Sequence, residues 1–439
     1  MTRLSGWGRT PSAECVTRRV RCEDDVRAAL TEAPLIARGN GRAYGDSALN
    51  PGLTLEMRGM DRMLSFDGET GVLVAEAGVL LADIIASLLP RGWFPMVTPG
   101  TKLITLGGAL AADVHGKNHH CDGSFRACVD WIDLMAPDGT VTRHAKGDEM
   151  FDWTLGGMGL TGVILRAQIR LRPVETGWIR QDMRPTTDLT QAMDEMDGAL
   201  DVPYSVAWID CATRGRHMGR SLVMLGRHAT REELPAGKRG APFDTGRKIS
   251  LRLPIDLPAP LLNPLTLRMF NALYYWNGRR KAGTGLIDWD SYFYPLDAIL
   301  DWNRGYGRRG FYQFQCALPL DRARDGIAAL VETIATSGQG SPLAVLKRFG
   351  AAEGRFSFPM PGYTLALDFP ANPRSTRLME QLDDITLAHG GRFYLAKDAR
   401  MPRDVFAKAD PRSAEFAAMR KEMGLTTRFR SLQSERLGL

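Results

Sequence analysis

The sequence is poor in the features that mark secreted, disulfide-linked or membrane-spanning proteins. It holds six cysteines in 439 residues, with no C-x-x-C pair and no regular spacing, which is typical of free thiols in a reducing compartment. No apolar run approaches the ~18 residues of a spanning helix, and the first residues lack the apolar region of a signal peptide. We therefore expect a cytoplasmic protein, and the sequence leaves open a peripheral contact with the inner membrane.

Charge of one sign is not in large excess. The 56 lysines and arginines and the 50 acidic residues give a net charge of +6. This permits an acidic partner, such as a phosphorylated substrate or an anionic membrane surface, but does not require nucleic acid. There is no basic arm and no helix-turn-helix or zinc-finger pattern, so no nucleic-acid partner is expected.

Length and apolar patterns predict two domains. A chain of 439 residues usually forms two domains rather than one. In residues 1–175, short strand patterns interleave with helical ones, which indicates α+β or α/β structure. From 176 to 394, strand patterns mix with a helical pattern at 321–338, which indicates a second, sheet-based domain.

A G-x-G-x-x-G spacing at Gly157, Gly159 and Gly162 suggests a dinucleotide site, but its context does not. The Rossmann mechanism needs a strand before the glycines and a helix after them. The apolar residues Val163, Leu165, Ala167, Ile169 and Leu171 instead recur at every second position, with polar residues between them from Arg166 until Pro173. This period of two predicts a half-buried strand, so a Rossmann site is excluded here.

Three glycine-rich segments lie in the first domain, at 38–46, 99–125 and 156–162. One such segment is commonly only a turn. Three that each border an apolar strand suggest backbone lying close to a large planar or phosphorylated ligand, because a Cβ would clash there. Main-chain N–H groups in 39–45 can also form a nest for a pyrophosphate. Ligand binding is therefore favoured over three unrelated turns.

Three histidines fall in 115-HGKNHHC-121 and allow two interpretations. One is a metal site completed by Cys121. The other is an active-site loop in which His115 and Lys117 contact a redox cofactor or substrate. The crowded spacing and the lack of a second ligand cluster in the sequence favour the loop, and a zinc site stays the alternative.

Two lysines that follow apolar runs are candidates for chemistry. Lys347 follows 343–346 and Lys397 follows 393–396, so a strand could carry either ammonium group into a cleft. Burial lowers the pKa of a lysine, which would allow it to accept a hydroxyl proton or to balance an anionic cofactor.

Residues 235–284 combine proline, basic side chains and apolar side chains. Six prolines punctuate the segment, Asp244 and Asp256 are its only acidic residues, and an apolar set ends in Leu-Tyr-Tyr-Trp at 273–276. The segment is either a long proline-rich loop packed on the surface or a lid that faces a membrane. The second interpretation rests on basic groups for phosphate head groups and apolar groups for lipid tails.

Short motifs of the first domain resemble, in order, those of the flavin oxidases related to vanillyl-alcohol oxidase. The motifs are R-G-x-G-R-x-Y-G-D at 38–46, A-G-V at 77–79, P-G-T at 99–101, G-G-A at 107–109, H-G-K-N at 115–118, G-S-F at 123–125 and G-G-x-G-L-T-G at 156–162. Within that family, the branch that oxidises decaprenylphosphoryl-β-D-ribose at the 2′ position is similar over nearly the whole chain. Its further motifs are L-S-G-W-G-R-T at 4–10, Y-S-x-A-W at 204–208, P-L-D at 295–297, W-N-R-x-Y-G at 302–307, Q-x-Q at 313–315, D-F-P at 368–370 and G-R-x-Y-x-A-K-D-x-R at 391–400.

The resemblance implies a two-domain α+β fold that binds FAD at the domain junction. A PCMH-type FAD-binding domain would comprise 1–175, completed by 395–439, and an antiparallel-sheet substrate domain would comprise 176–394. Non-covalent FAD is expected, because Arg42 stands where many relatives carry the histidine that attaches flavin. The residues implied to bind FAD are Arg38, Gly39, Asn40, Gly41, Arg42, Tyr44, Gly45, Pro99, Gly100, Thr101, Gly107, Gly108, His115, Gly116, Asn118, Gly157, Gly159, Gly162, Tyr394 and Arg400.

The implied reaction is oxidation of the 2′-hydroxyl of a polyprenyl-phosphoryl-β-D-ribose to a keto sugar. It is the first half of an epimerisation to the arabinose form, in the supply of arabinan precursors for the cell envelope, and an NAD(P)H-dependent keto-sugar reductase is the implied partner. Lys397 is the first candidate for the base or for a cation beside the flavin, and His115 is the second. The residues implied to bind substrate are Lys117, Gln313, Gln315, Lys347, Phe293, Tyr294, Thr364 and Ala366.

Three of these positions depart from the family pattern. Ala366 replaces a thiol, Thr364 replaces an asparagine and Phe293 replaces a tyrosine. Hydride transfer requires no cysteine, so the chemistry is compatible with the changes, whereas the identity of the substrate is left open. The alternatives are an FAD-dependent oxidase of a free sugar, alditol or sugar lactone and, from another class, a zinc-binding protein without enzymatic activity.

Overall fold

The computed structural model describes residues 1–246, 248, 250–257 and 263–439. The helices are α1 (Glu23–Leu30), α2 (Leu81–Leu88), α3 (Leu106–Ala111), α4 (His119–Asp122), α5 (Glu149–Thr154), α6 (Leu189–Asp197), α7 (Pro264–Arg280), α8 (Trp289–Phe293), α9 (Leu320–Ser337), α10 (Pro373–Ala388), α11 (Arg403–Ala409), α12 (Arg412–Glu422) and α13 (Leu432–Leu437).

The strands run through the chain as follows: β1 (Thr2–Ser5), β2 (Ser12–Cys15), β3 (Thr17–Arg19), β4 (Leu35–Arg38), β5 (Leu53–Glu56), β6 (Met63–Phe66), β7 (Val72–Glu76), β8 (Trp93–Pro95), β9 (Val129–Met135), β10 (Val141–Ala145), β11 (Val163–Pro173), β12 (Trp178–Thr186), β13 (Tyr204–Ile209), β14 (Ser221–His228), β15 (Leu251–Arg252), β16 (Gly283–Asp288), β17 (Ile299–Leu300), β18 (Phe311–Pro319), β19 (Val345–Phe349), β20 (Gly362–Pro370) and β21 (Arg392–Phe393).

The sheets of the first part of the chain are organised around β11. It lies between β9 and β7 in the order β10-β9-β11-β7-β6, and β8 also pairs with it. Its apolar residues are buried, whereas Arg170 is exposed, so the strand predicted after Gly162 is confirmed. Val163 and Leu165 pack against the parallel sheet β3-β5-β4, and Ala167 and Ile169 pack on the opposite side, in the core around α2 and α3.

An antiparallel eight-stranded sheet dominates the second part of the chain. Its order is β16-β12-β14-β13-β19-β20-β18-β21. One face is covered by α6, α9 and α10, whose apolar side chains form the largest core cluster with alternate residues of the central strands. Because side chains alternate across a strand, the remaining residues of β18, β19 and β20 point to the other face.

The last residues of the chain return to the first strands. The N–H of Leu35 in β4 donates to the carbonyl of Arg428 at 2.7 Å, and the N–H of Arg430 donates to the carbonyl of Leu35 at 3.0 Å. The guanidinium of Arg436 in α13 lies 2.8 Å from Asp46 and 2.7 Å from Asp398. The C-terminal segment therefore contacts the glycine-rich segment 38–46, while the domain boundaries at 175 and 394 stay predictions.

Residues 235–284 are not the continuous loop that one interpretation of the sequence predicted. Residues 264–280 form α7, in which Asn263 accepts hydrogen bonds from the first-turn N–H groups and Pro264 occupies the first turn. Proline is compatible with that position because its missing N–H would have no intrahelical partner there. Positions 247, 249 and 258–262 of this segment lie outside the described residues.

The fold class is α+β, as predicted. All six cysteines are free thiols. None of the helices in the described part of the chain has the length and hydropathy that crossing a bilayer requires.

Candidate active site

The three glycine-rich segments line one cleft together with the open face of the eight-stranded sheet. The first-part lining comes from residues 37–48, 99–108 and 158–164, and the opposite wall comes from β18, β19 and β20. Residues 394–397, which follow β21, close one side. The loops that are far apart in sequence therefore converge on one site.

Strand register places the polar residues of the sheet wall in one row. Gln313 on β18 lies opposite Asp368 on β20, and Gln315 lies opposite Ala366. On the other side of β20, Lys347 of β19 lies opposite Thr364. Directly opposed residues share a face, so these side chains line the cleft together.

Hydrogen bonds fix the orientation of both glutamines. The amide Nε2 of Gln313 donates to Asp368 at 2.5 Å. The amide Nε2 of Gln315 donates to Thr364 Oγ1 at 3.2 Å and lies 3.1 Å from His115 Nε2. His115 Nε2 is therefore the acceptor in this pair, and the imidazole proton is placed on Nδ1.

Lys397 and Asp368 form the charged centre of the cleft. The ammonium group of Lys397 lies 3.9 Å from the centre of the Tyr44 ring, in a cation–π arrangement. Burial lowers the pKa of Lys397, the Asp368 carboxylate opposes that shift, and Lys347 adds to it. Burial raises the pKa of Asp368, while the hydrogen bond from Gln313 and the charge of Lys397 lower it. The pKa values of the lysine and the carboxyl group are therefore both shifted toward neutral pH, and the two groups titrate as a coupled pair.

The other basic groups around the cleft are also shifted toward their neutral forms. Burial lowers the pKa of Lys347 to about 8 and, with the charge of Lys347, lowers that of Lys117 to about 7. Burial, Lys347, His119 and Lys397 lower the pKa of His115 well below its usual value. Lys347 and Lys397 on the cleft wall, with Arg38 and Arg42 on the loops opposite, outnumber the lining acids Asp297 and Asp368, which favours an anionic ligand.

The glycines of the three segments serve two different purposes. At four of them, a Cβ would lie 2.9 Å or less from another atom of the protein: Gly39, Gly45, Gly107 and Gly162. A Cβ on Gly45, for example, would lie 2.0 Å from the Asp398 carbonyl oxygen. These glycines let the loops pack on one another. Packing within the protein therefore explains these four glycines, and their contact with FAD stays a prediction.

Other glycines of the cleft lining leave open space. A Cβ on Gly100 would meet no atom within 4 Å, and one on Gly108 would meet only Thr105 Oγ1, at 3.1 Å. Gly159 has a φ of +77°, a backbone region that glycine adopts without strain, and a Cβ there would meet only Ile36 Cδ1, at 3.6 Å. Backbone at these positions faces the cleft without a side chain.

Polar residues of 38–46 hold this segment in place. Arg38 donates to the Ser5 carbonyl at 2.8 Å, and Asn40 donates to the Leu103 carbonyl at 2.7 Å. The guanidinium of Arg42 lies 3.9 Å from the centre of the Trp7 ring. The predicted FAD-binding residues that line the cleft are Arg38, Gly39, Asn40, Gly41, Arg42, Tyr44, Gly45, Pro99, Gly100, Thr101, Gly107, Gly108, His115, Gly159, Gly162 and Tyr394.

Four residues expected at the cofactor do not line the cleft. Asn118 is buried and donates to Met96 O and Asp122 Oδ2, and a Cβ on Gly116 would lie 2.6 Å from Asn118 Oδ1. Gly157 packs on the Trp153 carbonyl. Arg400 forms two hydrogen bonds of 2.8 Å to Asp383, because burial of that carboxylate requires a counter-charge.

Three residues expected at the substrate are also outside the cleft lining. Phe293 and Tyr294 are buried in an aromatic cluster with Phe94 and Tyr292. The ammonium group of Lys117 lies 4.1 Å from the centre of the Tyr292 ring and donates to the Tyr292 carbonyl. Burial of large aromatic side chains is favourable enough to decide their placement. By contrast, Gln313, Gln315, Lys347, Thr364, Ala366 and Lys397 line the cleft.

Several lining residues were missed as site residues, although each lies in a motif used for the family resemblance. They are Trp7, Asp297, Trp302 and Asp368. Asp297 accepts hydrogen bonds from Thr101 Oγ1 at 2.8 Å and from the Lys102 N–H at 2.9 Å. It thereby ties the P-L-D turn to the P-G-T loop. The motifs were the signal that could have identified all four.

The histidine run is divided between different environments. His115 lines the cleft, whereas His119 accepts from the Gly350 N–H at 3.2 Å and His120 contacts the Val202 carbonyl at 2.8 Å. In the described part of the chain, no group of three or more histidine, cysteine or acidic residues has the geometry to hold a metal ion.

Comparison with known proteins decides the family. Residues 16–145 match a family of FAD binding domains. A decaprenylphosphoryl-β-D-ribose oxidase of Mycolicibacterium smegmatis is 35% identical over 457 aligned positions, which cover 100% of this chain and 97% of that protein. The chain belongs to the decaprenylphosphoryl-β-D-ribose oxidase family. It is an FAD-dependent oxidoreductase, and its first domain is of the PCMH type.

Two further relatives of this chain are an uncharacterised protein and a more distant oxidase. An uncharacterised protein from the mprA 5′ region of Streptomyces coelicolor is 35% identical over 82% of this chain and 99% of its own. L-Gulonolactone oxidase of Mus musculus is 28% identical over 37% of this chain and 36% of its own. The last similarity is confined to part of each chain, as expected for a shared cofactor domain.

The cleft fits FAD because several of its lining residues are glycines that leave space where a side chain would project. Gly100, Gly108 and Gly159 present main chain to the cleft, where a Cβ would project into free space or strain the backbone. Main-chain N–H groups without neighbouring side chains suit a pyrophosphate and the edge of a flat ring. FAD thus accounts for open glycines that packing within the protein does not require.

A matched pair of substitutions separates the two purposes of glycine. Gly108→Ala should leave the free energy of unfolding within ~1 kcal/mol of wild type, because alanine suits a helix. It should weaken FAD binding by about tenfold or more, because the methyl group enters the cleft. FAD titration of the apoprotein and urea unfolding measure these two effects.

The control is Gly45→Ala, whose Cβ would lie 2.0 Å from the Asp398 carbonyl oxygen. It should destabilise the fold by about 2 kcal/mol or more, whether or not FAD is present. Wild-type FAD affinity in Gly108→Ala would contradict the placement of cofactor against this loop.

Proposed function

We propose that this protein oxidises the 2′-hydroxyl of a polyprenyl-phosphoryl-β-D-ribose to the 2′-keto sugar, as the first half of an epimerisation to the arabinose form. The observation that carries the proposal is the row of hydrogen-bonding and basic groups on the sheet wall, opposite the FAD-binding loops. It provides Gln313, Gln315 and Lys347 for sugar hydroxyls and phosphate. It provides Lys397 for the reacting hydroxyl.

The chain's own residues position the sugar and handle the hydroxyl proton. The chemistry that FAD supplies when bound is acceptance of a hydride from the carbon that carries the hydroxyl. The hydroxyl oxygen on that carbon must also lose its proton for the ketone to form. We assign Lys397 to receive this proton. Its lowered pKa makes a neutral amine accessible near neutral pH. A protonated Lys397 would instead give the isoalloxazine a positive neighbour.

His115 is the second candidate for the base. Its pKa is well below its usual value because of burial, so the ring is neutral at physiological pH. Its Nε2 already accepts from Gln315 at 3.1 Å, and Nδ1 has no hydrogen-bond partner in the described part of the chain. A proton could reach Nε2 only after Gln315 moves. We therefore assign His115 to orienting Gln315 and Lys397 to proton transfer.

The charges of the cleft wall favour an anionic substrate over a free sugar, alditol or sugar lactone. Lys347 and Lys397 stand on the cleft wall with Asp368 as their acidic neighbour. A phosphate ester would bring negative charge that favours the protonated form of Lys347, whose pKa burial lowers to about 8. A free sugar would bring none.

The wider proposal concerns domains, location and partners. Residues 1–175 with 395–439 would bind FAD, and 176–394 would bind substrate. A prenyl-phosphoryl substrate resides in a membrane, so the protein would work in peripheral contact with the inner membrane from the cytoplasmic side. A keto sugar needs a reductant to complete the epimerisation, so an NAD(P)H-dependent reductase would take the product.

Acid release tests the proposal that FAD is held non-covalently. Arg42 occupies the position of the covalently linking histidine in many relatives, and an arginine guanidinium forms no flavin bond. Precipitation of the yellow holoprotein with acid should therefore leave all flavin in the supernatant. Absorbance of pellet and supernatant gives the partition, and flavin retained on the denatured chain would disprove this proposal.

Anaerobic mixing with substrate tests the function itself. A prenyl-phosphoryl ribose should bleach the flavin absorbance of the holoenzyme, and ribose or a sugar lactone should bleach it far more slowly. Lys397→Ala should keep FAD but slow bleaching by about a hundredfold or more. Lys421→Ala, on an exposed face of α12, is the matched control. Equal bleaching by ribose would favour the free-sugar oxidase, and fast bleaching in Lys397→Ala would remove Lys397 from proton transfer.

The pH profile of bleaching tests the coupling of Lys397 to Asp368. The carboxylate raises the pKa of Lys397, so Asp368→Asn should lower that pKa and move the profile by about one unit to lower pH. If the limb that shifts is the one on which the bleaching rate rises with pH, the neutral amine of Lys397 is the active form. If it is the limb on which the rate falls with pH, the ammonium is the active form. Asp404→Asn, on exposed α11, is the control. An unshifted profile in Asp368→Asn would show that the two groups are not coupled.

A further inference from the structure

Exposed apolar side chains are concentrated in one short part of the molecule. Among the described residues, fifteen large apolar side chains are exposed, and eight of them fall between 251 and 276. Six of these eight belong to α7. Scattered exposed apolar groups need no explanation, but a cluster of this kind marks an interaction surface.

Helix α7 is fixed to the sheet by one face and exposes the other. Asn271 donates to Asp210 at 2.8 Å, and the Tyr275 hydroxyl donates to the Thr186 carbonyl at 2.9 Å. On the opposite face, Leu265, Met269 and Leu273 follow one another at a spacing of four residues and are 68%, 57% and 63% exposed. The helix is therefore anchored by polar contacts and by burial of Leu267 and Tyr275 behind it, and its apolar outer face stays exposed.

Positive charge accompanies this apolar face. Arg268, Arg279, Arg280 and Lys281 are exposed, and residues 263–287 contain no acidic residue. The guanidinium of Arg280 lies 4.7 Å from the centre of the ring of Trp276, which is 55% exposed. A protein partner that binds this surface would need a face that is both acidic and apolar. A bilayer with anionic head groups offers both features everywhere on its surface.

The apolar face adjoins the polar end of the cleft. Trp208 of β13 is paired with Val345 of β19, which lines the cleft two residues from Lys347. Tyr274 of α7 packs on Trp208, with ring centres 4.8 Å apart. Helix α7 thus lies on the cleft-bearing face of the sheet, one strand away from the wall that carries the lysine.

In a second pair of exposed apolar side chains, one lies close in sequence to a residue of the cleft lining. Strand β15, with the exposed Leu251, pairs with β17, with the exposed Ile299. Trp302, two residues after β17, lines the cleft. Exposed apolar side chains therefore lie near the cleft in β15 and β17, and one strand away from its wall in α7.

We propose that the exposed face of α7 docks the protein on an anionic phospholipid bilayer, with the cleft opening toward the membrane surface. Leu265, Met269 and Leu273 would enter the acyl boundary, and the flanking arginines would contact phosphate head groups. The orientation rests on the proposed function, since a prenyl chain held in the same bilayer would present its phosphate and sugar to the cleft. Docking itself requires only the surface of α7.

Vesicle sedimentation with the FAD-loaded protein tests the docking. Wild type should sediment with vesicles of phosphatidylcholine and phosphatidylglycerol in equal parts, and far less with phosphatidylcholine alone. Leu265→Ser/Met269→Ser/Leu273→Ser should weaken binding by about tenfold or more, since each lost side chain removes apolar burial. Arg279→Glu/Arg280→Glu should weaken it by about tenfold or more, because each basic group near an anionic surface contributes.

The matched control changes exposed apolar residues outside the patch. Leu64→Ser/Leu320→Ser/Met423→Ser should bind vesicles as wild type does, because these residues, 44%, 46% and 52% exposed, lie in other elements. Equal binding by wild type and the α7 variants, or no vesicle binding by wild type, would overturn the proposal. So would a wild-type dimer that the α7 variant converts to a monomer without any vesicle binding, because the occupant would then be a second copy.

Flavin bleaching by a short-chain, water-soluble prenyl-phosphoryl ribose separates this proposal from the proposed function. The α7 variants should bleach at the wild-type rate, since no residue of α7 lines the cleft in the described part of the chain. Bleaching without vesicle binding would overturn the docking and leave the function. Vesicle binding without bleaching would overturn the function and leave the docking.

Discussion

The contact between the glycine-rich segment 38–46 and the C-terminal return is the constraint on which the site depends. The Tyr44 N–H donates to the Ala396 carbonyl at 2.9 Å, and a Cβ on Gly45 would lie 2.0 Å from the Asp398 carbonyl oxygen. Arg436 then pairs with both Asp46 and Asp398 across this contact. Removing Arg436 would leave two buried carboxylates, Asp46 and Asp398, without their counter-charge, which is destabilising. The same approach brings Lys397 over the ring of Tyr44, so packing between distant segments creates the charged centre of the cleft.

That charged centre is costly to bury and is therefore informative. A lysine in the wall of a cleft loses hydration, which lowers its pKa, and the loss is offset here by the Tyr44 ring and the Asp368 carboxylate. Gln313 bonds the carboxylate, and the sheet register places the two side chains opposite one another. Lys347 adds a second ammonium group to the same wall. A fold that only needed stability would replace these groups with apolar ones, so their presence argues for a negatively charged ligand and for proton transfer.

The open face of the eight-stranded sheet links two surfaces that a lipid-borne substrate would need together. β18, β19 and β20 supply the cleft wall, and β12, β13 and β14 support α7 on the same face. Trp208 joins the two, with Val345 beside it on one side and Tyr274 packed on it on the other. A single rigid sheet therefore sets the distance between the exposed apolar helix and the polar end of the cleft.

The sequence by itself determined the local features, because they depend on neighbours in the chain. The alternation after Gly162 predicted β11, the ordered motifs indicated an FAD-binding oxidase, and the apolar runs before Lys347 and Lys397 placed both at the cleft. Only the tertiary structure decided the rest. Gly45 and Gly107 pack on protein while Gly108 faces the cleft, Arg400 pairs with Asp383, Phe293 enters the core, and Asp368 becomes the partner of Lys397. Strand register and burial between separate elements decide which residues are paired across the sheet and which charges find a counter-charge. No local sequence pattern encodes these contacts, because their partners lie from 17 to several hundred residues apart.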